Sequence, residues 1–355
     1  MINFVFIIAF FIAQVILAWY FLSEGRSNKS VGDGPLIKDV SVIIPFKNEA
    51  DRIGALLESI NELDIPDGFK VEYIFIDDHS DDDTAQVIES SLEQQFQIIL
   101  NDGKGKKEAL RTAIGKAIYP NILSWDADIR VEASYFERLA LLPEADLWIL
   151  PVEMDGDELI QSLGAIEFSW LQILTFSEAQ NKRAKLCNAA NMLVKKTAYL
   201  ETEKTRDDFE IGSGDDHFLL KELKKANKDI RAISDIDLTV STPAPESFGQ
   251  LLAQRKRWIS KMSANDGASN IIALIALLIL SFSNVLGFLL VGNAVLMLLV
   301  FFFKFVADYL VMKMYKRRAL STEESVHVLF HQFWYPVYLV ALIFYQPRPK
   351  DRWTA

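Results

Sequence analysis

Two aspartates separated by one small residue are the sharpest chemical feature of this sequence. Asp126 and Asp128 follow the apolar run at 122–125. Mg²⁺ and Mn²⁺ prefer oxygen ligands, and a cation held by one or two carboxylates keeps positions open for phosphate oxygens. The pair therefore predicts a site for Mn²⁺ or Mg²⁺ together with a nucleotide diphosphate.

A loop rich in glycine and lysine precedes this pair. Residues 102–107 read Asp-Gly-Lys-Gly-Lys-Lys. The glycines let the backbone approach a ligand closely, and Lys104 and Lys106 add positive charge for a diphosphate. A Walker A loop needs a Ser or Thr after its Gly-Lys pair, which this loop lacks, so a nucleoside triphosphatase is disfavoured. A plain solvated turn is the alternative interpretation.

Acidic residues also follow the strand-like run at 71–76. Asp77 and Asp78 stand at its end, where a carboxylate can accept a hydrogen bond from a base or a ribose hydroxyl. Three further aspartates, at 81–83, open a helical pattern, and for these the usual role is helix capping.

A third acidic pair, Asp215 and Asp216, leads into another helical pattern. Capping alone would explain one of the two. An ionised carboxylate within hydrogen-bond reach of an acceptor hydroxyl can take its proton during attack, which contributes roughly 10²–10⁴ in rate. Asp216 is therefore a candidate general base.

A basic segment, Gln-Arg-Lys-Arg-Trp at 254–258, lies on a predicted amphipathic helix. Such a helix beside apolar segments is expected on a lipid surface, which suits Lys256 and Lys261. Arg257 and Trp258 could instead turn inward, the guanidinium toward a diphosphate and the indole toward a sugar or acceptor.

The elements that must position these residues alternate between strand and helix over about 36–240. Strand-like runs lie at 40–44, 71–76, 97–100, 122–125 and 147–150, with helical patterns between them. This order predicts an α/β fold with a mostly parallel sheet covered by helices. Such sheets bind ligands at the carboxyl ends of their strands, where the acidic motifs stand.

Composition narrows the class of protein. The chain has 355 residues, of which 50% are hydrophobic, and its formal net charge is −11. A disordered chain and a general affinity for nucleic acid are both disfavoured. The single cysteine, Cys187, excludes an internal disulfide and suits a reducing compartment.

Apolar residues are concentrated at the two ends of the chain. Residues 1–22 carry no charge and are expected to be a retained anchor, with a cleaved signal peptide as the alternative. The region 270–312 is long enough for two spans, and the basic residues after it favour a cytoplasmic side. The segment 326–345 could span or lie in the interface. These features predict an integral membrane protein of the cell inner membrane, with its middle part in the cytoplasm.

Polar residues within the apolar segments have a simple interpretation. Lys304 and Asp308 are one helical turn apart and are expected to pair, because an unpaired charge there is costly. His327 and His331 have a spacing that can hold a metal, but interfacial polar residues are the favoured explanation.

Six motifs in this order resemble those of the membrane-anchored, inverting family 2 glycosyltransferases with a GT-A fold. The resemblance covers about 38–262, and the matching stretches are 42–49, 76–80, 103–106, 126–128, 214–216 and 254–258. It implies a GT-A domain over 36–265 that ends in an amphipathic interfacial helix, between an anchor at 1–22 and a membrane region of two to three helices at 270–346.

The resemblance also implies roles for individual residues. Those implied to hold the base and ribose are Pro45, Asn48, Glu49, Asp77 and Asp78. Asp126 and Asp128 are implied to position the diphosphate and its metal, and Asp216 is implied to be the catalytic base. Asp215 stands where the family has glutamate. The family signature that closes over diphosphate and acceptor corresponds to Gln254, Arg257 and Trp258.

The implied reaction is a single displacement that transfers a sugar, expected from a UDP-sugar, with inversion. Flanking membrane segments favour a lipid or lipid-linked acceptor. A processive polysaccharide synthase is the main alternative, although the chain lacks the phenylalanine-x-valine-threonine motif of cellulose-type synthases. A nucleotidyltransferase or an inactive membrane scaffold would explain fewer of the motifs.

Overall fold

A central β-sheet carries the predicted strand ends, as seen in a computed structural model of the chain. The structure describes residues 34–180, 183–205, 215–263, 294–316 and 320–346. The predicted anchor at 1–22 and the stretch 270–293 lie outside the described residues. The chain divides into two compact units. One contains 34–154 and 174–243, and the other contains 155–173 and the described residues from 244 onward.

The strands of the described residues are, in chain order, β1 (Asp39–Phe46), β2 (Lys70–Asp77), β3 (Phe96–Leu100), β4 (Asn121–Trp125), β5 (Arg130–Val131), β6 (Leu147–Ile149), β7 (Val152–Asp155), β8 (Asn191–Lys195), β9 (Ile230–Ala232) and β10 (Val240–Pro243). The larger sheet has the order β3-β2-β1-β4-β8-β6-β9, and a smaller one has the order β5-β10-β7.

The helices are, in chain order, α1 (Gly54–Asn61), α2 (Thr84–Ser91), α3 (Lys106–Lys116), α4 (Tyr135–Leu139), α5 (Leu159–Gln180), α6 (Lys196–Thr202), α7 (Asp215–Lys225), α8 (Phe248–Ser263), α9 (Ala294–Tyr315) and α10 (Thr322–Phe344).

The first strands bring the acidic motifs to one edge of the larger sheet. β1 pairs in parallel with both β2 and β4, and β2 pairs in parallel with β3. Phe46 at the end of β1 is level with Asp77 of β2, which is level with Leu100 of β3. β1 is a nearly continuous apolar run that is buried on both faces, as expected for a central parallel strand. The predicted α/β fold with a mostly parallel sheet is confirmed.

The far half of the sheet was predicted only in part, because β6 corresponds to the strand-like run at 147–150 whereas β8 and β9 were not predicted. β8 pairs antiparallel with both β4 and β6, while β9 pairs in parallel with β6. This arrangement places Asn191 of β8 directly beside Trp125, the last residue of β4. The strand before the aspartate pair is therefore held on both sides.

The second unit contains α8, α9, α10 and the first part of α5. Among the described residues, the segments Leu159–Ala179 and Thr322–Phe344 are long and apolar enough to cross a membrane, a test that buried helices of soluble proteins also pass. The second of these corresponds to the apolar segment predicted at 326–345. The first was not predicted.

Within this unit the apolar face of α8 is covered by α10. Leu251 and Leu252 pack against Tyr338, Leu339 and Leu342. Leu251 and Leu252 therefore contact protein, whereas Ile259 on the same helix is exposed. The interfacial placement of α8 stays a prediction.

The predicted pair in α9 is confirmed. Lys304 Nζ lies 2.9 Å from Asp308 Oδ2, and both residues are buried. The Asp308 carboxylate also accepts hydrogen bonds from Gln332 Nε2 of α10 and Trp170 Nε1 of α5, at 2.5 and 3.1 Å. Such sharing offsets part of the cost of burying a carboxylate.

Candidate active site

The aspartate pair lies immediately after β4. Ala127 is buried, whereas Asp126 and Asp128 are half-buried and accessible from solvent. The ammonium of Lys106, the first residue of α3, contacts Asp126 Oδ1. A cationic side chain from the glycine-lysine loop therefore meets the predicted metal ligands.

Several carboxylates act on this ammonium. Burial opposes the charged form of Lys106, yet Asp126, with Asp216 and Asp128, raises the Lys106 pKa above its ordinary value. Burial raises the pKa of Asp128, and the charge of Asp126 adds to the effect. The charges of Asp126, Asp128 and Asp216 thus all act on Lys106, and Asp216 comes from a distant part of the chain.

The candidate base, Asp216, is the second residue of α7. Its Oδ1 accepts a hydrogen bond from the backbone N–H of His217 at 2.8 Å, and its Oδ2 accepts one from Ala189 at 3.4 Å. Burial raises the pKa of the nearby Cys187 thiol well above its usual range, and the charges of Asp216 and Asp215 add to this. Such a thiol stays protonated at neutral pH and is a poor nucleophile.

A buried hydrogen-bond network shapes the glycine-lysine loop. Gly105 has φ 87°, in the left-handed region, and its N–H donates to Asp78 Oδ1 at 2.8 Å. Asn101 Nδ2 donates to the same oxygen at 2.7 Å, and Asn101 Oδ1 accepts from Gly103 at 3.1 Å. The Asp78 carboxylate, predicted at the nucleotide, is engaged in holding the loop that presents Lys106. Sequence reasoning missed Asn101.

The loops after β1 and β2 are also tied together. Asn48 Oδ1 accepts from the backbone of Asp81 at 2.8 Å, and the Asn48 N–H donates to Ser80 Oγ at 3.1 Å. Asp77 Oδ1 accepts from the backbone of Ser80 at 2.8 Å. Of the three aspartates at 81–83, Asp83 holds the N-cap position of α2 but makes no side-chain cap hydrogen bond, and Asp82 accepts from the Thr84 N–H at 3.1 Å instead.

Glu49 lies among these carboxylates. Burial raises its pKa to about 7, against the opposing charge of Arg52, and Asp128 and Asp126 raise it further. Arg52 Nη2 lies 2.7 Å from Glu49 Oε2. This edge of the sheet is therefore an acidic cleft in which added positive charge is favourable. Of the remaining predicted residues, Pro45 lies in β1, Lys104 is exposed and Asp215 is buried.

A cluster of buried aromatic side chains supports the strand that carries the aspartate pair. Trp125 is fully buried against Tyr135, with ring centroids 5.3 Å apart. The Tyr135 hydroxyl donates to Asn191 Oδ1 at 2.6 Å, and Asn191 Nδ2 donates to the carbonyls of Pro151 and Leu238 at 2.7 and 2.8 Å. These contacts fix the strand from which Asp126 and Asp128 project.

The motif at 254–258 lies on α8 of the second unit, and its Arg255 contacts two other residues of the motif. Arg255 is buried and donates from Nε to Glu167 Oε2 at 2.6 Å. Gln254 Oε1 accepts from Arg255 Nη1, and the Trp258 ring lies 4.3 Å from the guanidinium carbon. Gln254 and Trp258 thus contact Arg255, a residue that sequence reasoning missed. The roles predicted for Gln254, Arg257 and Trp258 at the substrate stay predictions.

The aspartate pair is suited to a divalent cation. Among the described residues, no group of three or more His, Cys, Asp or Glu side chains is arranged to hold a metal. Two half-buried carboxylates, Asp126 and Asp128, fit a cation that takes its other ligands from phosphate oxygens and water.

The sequence of this sheet region matches a known family. Residues 41–147 match the description glycosyl transferase family 2. The resemblance to family 2 glycosyltransferases is confirmed. The family 2 segment contains β1 to β4, the glycine-lysine loop and the aspartate pair.

Relatives match this chain over a length similar to that of the family 2 segment. An undecaprenyl-phosphate 4-deoxy-4-formamido-L-arabinose transferase of Klebsiella pneumoniae is 29% identical over 109 residues, or 30% of this chain and 33% of the relative. A 4,4′-diaponeurosporenoate glycosyltransferase of Staphylococcus aureus is 36% identical over 95 residues, or 26% of this chain and 24% of the relative. The matches therefore span about a third or less of these relatives.

A solved structure supports the fold over nearly the whole chain. The mannosyltransferase PcManGT of Pyrobaculum calidifontis, solved with GDP-Man and Mn²⁺, has a TM-score of 0.55 and 15% identity, and the match covers 96% of both chains. At this identity the likeness concerns the fold, which is GT-A.

Proposed function

We propose that this protein is an inverting glycosyltransferase that moves a sugar from a nucleotide sugar to a lipid or lipid-linked acceptor. One observation carries the proposal, namely that the Lys106 ammonium contacts Asp126 Oδ1 directly after β4 of the sheet, where the charges of Asp128 and Asp216 also act on it. The family 2 match at 41–147 supports the same reaction class.

The chain's own residues divide the work of the proposed reaction. The acceptor O–H bond breaks and its proton passes to the Asp216 carboxylate, while the acceptor oxygen bonds to the anomeric carbon of the donor. The bond from that carbon to the diphosphate breaks, and its electron pair leaves with the diphosphate. The Lys106 ammonium, which contacts Asp126, would stabilise that developing negative charge.

Asp126 and Asp128 would hold the metal. When bound, a divalent cation would neutralise part of the charge of the leaving diphosphate. Asp128→Ala is expected to weaken the binding of UDP in the presence of Mn²⁺ and to leave its binding in the presence of a chelator unchanged. Isothermal titration calorimetry measures both affinities, and equal affinity with and without metal in the wild type would remove the metal role.

The acceptor class is proposed from the relatives and the apolar helices. One relative is named for undecaprenyl-phosphate and another for a carotenoid acid, and both are lipids. Two described segments, in α5 and α10, are long and apolar enough to span a bilayer. A catalytic domain on the cytoplasmic face of the cell inner membrane is the corresponding proposed location.

The experiment that tests the proposal uses membranes containing the full chain. They are incubated with a panel of radiolabelled nucleotide sugars, with UDP-sugars first, in Mn²⁺ or Mg²⁺, and lipid and polymer fractions are then extracted separately. Label in the lipid fraction is expected, whereas label in high-molecular-weight material would favour the processive synthase. No label in either fraction across the panel would contradict transfer.

A further inference from the structure

The Lys106 ammonium contacts one of the two carboxylates assigned to the metal. Its Nζ lies against Asp126 Oδ1, and the two side chains keep 25% and 34% of their surface exposed. Asp128 and Asp216 are near enough to act on the same ammonium electrostatically. The ammonium of Lys106 is thus a positive charge that contacts Asp126 and is attracted by the other two carboxylates.

The loop before Lys106 fixes its backbone but not its side chain. The Gly105 N–H donates a hydrogen bond to Asp78 Oδ1 at 2.8 Å, and Asn101 Nδ2 donates to the same oxygen at 2.7 Å. Lys106 then begins α3. Lysine has a flexible four-carbon stem, so its ammonium can change partners while the loop stays in place.

An ammonium and a divalent cation exclude each other at one carboxylate oxygen, because two cations at contact distance repel strongly. Lys106 must therefore leave Asp126 Oδ1 before that oxygen can take a metal. A nucleotide diphosphate brings anionic oxygens, which form strong charge-assisted hydrogen bonds with an ammonium. It offers Lys106 an alternative partner within the same cleft.

We propose that Lys106 competes with the metal for Asp126 in the nucleotide-free protein and moves to the diphosphate when nucleotide binds. This inference rests on the proposed donor site. Metal and nucleotide then raise each other's affinity, and thermodynamic linkage makes the effect reciprocal. A lysine that only bound the diphosphate would leave metal binding unopposed in the absence of nucleotide.

The test measures Mn²⁺ binding to the full-length protein by the electron paramagnetic resonance signal of free Mn²⁺, with and without UDP. Without UDP, Lys106→Met is expected to bind Mn²⁺ about tenfold more tightly than the wild type, within the usual range of coupling between sites. UDP should raise Mn²⁺ affinity less in Lys106→Met than in the wild type. Lys106→Arg retains the charge and should bind Mn²⁺ as weakly as the wild type.

Lys116→Met is the matched control, since it removes an exposed charge from the last turn of the same helix. Its affinity for Mn²⁺ should equal that of the wild type. Lys106→Gln serves as a second neutral variant if Lys106→Met does not fold. Mn²⁺ binding to the neutral variant that is equal to or weaker than wild type without UDP overturns the competition, as does the absence of Mn²⁺ binding in both.

Failure of the proposed donor site would show differently. In that case UDP with Mn²⁺ would not bind even to the wild-type protein. The comparison made without UDP would still decide whether Lys106 and the metal compete.

Discussion

Arg255 donates from Nε to Glu167 Oε2 across 2.6 Å, and it joins α8 to α5 within the helical unit. Only 3% of the Arg255 side chain and 15% of the Glu167 side chain are exposed. The Tyr338 hydroxyl of α10 lies 3.2 Å from the same carboxylate. Three helices therefore meet at one ion pair, of which Arg255 belongs to the motif at 254–258.

Arg255→Leu should destabilise this unit strongly. It leaves the Glu167 carboxylate buried without its cation, and loss of one partner of a buried pair costs about 3–5 kcal/mol. Thermal unfolding of the full chain measures the change. Lys185→Ala is the control, because Lys185 is 73% exposed and lies 3.8 Å from Glu178, so its removal should shift Tm little. Equal shifts for the two variants would contradict a structural role for Arg255.

Gly105 is expected to be sensitive to substitution. Its φ of 87° and ψ of 161° define a conformation that is essentially restricted to glycine, so Gly105→Ala should lower the free energy of unfolding by about 1–3 kcal/mol. Gly115→Ala is the matched control in α3, the helix that begins directly after Gly105, and an added Cβ there meets nothing within 4 Å. It should stabilise the protein by about 0.5–1 kcal/mol. If both variants changed the free energy of unfolding in the same direction, the backbone conformation of Gly105 would not explain its sensitivity.

Glu49 is expected to make stability depend on pH. Burial raises its pKa from 4.5 to about 7, so the folded protein binds this proton more tightly than the unfolded chain. The contribution of Glu49 to stability is therefore greatest below about pH 4.5 and falls as the pH rises toward 7. Glu49→Gln removes this titration.

The measurement is the Tm difference between Glu49→Gln and wild type as a function of pH, with a chelator present. The difference should move in favour of the variant as the pH rises through about 7. Glu58→Gln, which removes an exposed charge from α1, controls for the change in net charge. A difference for Glu49→Gln that stays constant with pH would show that its carboxyl titrates in its ordinary range.

The sequence was sufficient to predict the first half of the sheet. β1 to β4 are short apolar runs bounded by polar residues, and parallel pairing requires their carboxyl ends to share an edge. For this reason Asp77, Asp126 and Asp128 could be placed together before the fold was known.

Other parts of the site depend on contacts between distant residues that carry no local signal. Arg255 and Glu167 are 88 positions apart, and Tyr135 and Asn191 are 56 positions apart. Asn101 resembles an ordinary loop residue until its bonds to Asp78 and Gly103 are seen. Local pattern also could not show that Asp78 faces the loop backbone, because that depends on how two loops pack.

The most direct test of the account is the Asp216→Asn variant, because it separates nucleotide binding from proton transfer. Asp216→Asn keeps the size of the side chain but cannot take the acceptor proton, so transfer should fall roughly 10²–10⁴-fold. UDP affinity in Mn²⁺ should stay near that of the wild type. One preparation of each protein is used for both measurements, calorimetric UDP binding and transfer of labelled sugar to extractable lipid. Retained UDP binding with lost transfer is the predicted result, and transfer at the wild-type rate would contradict the account.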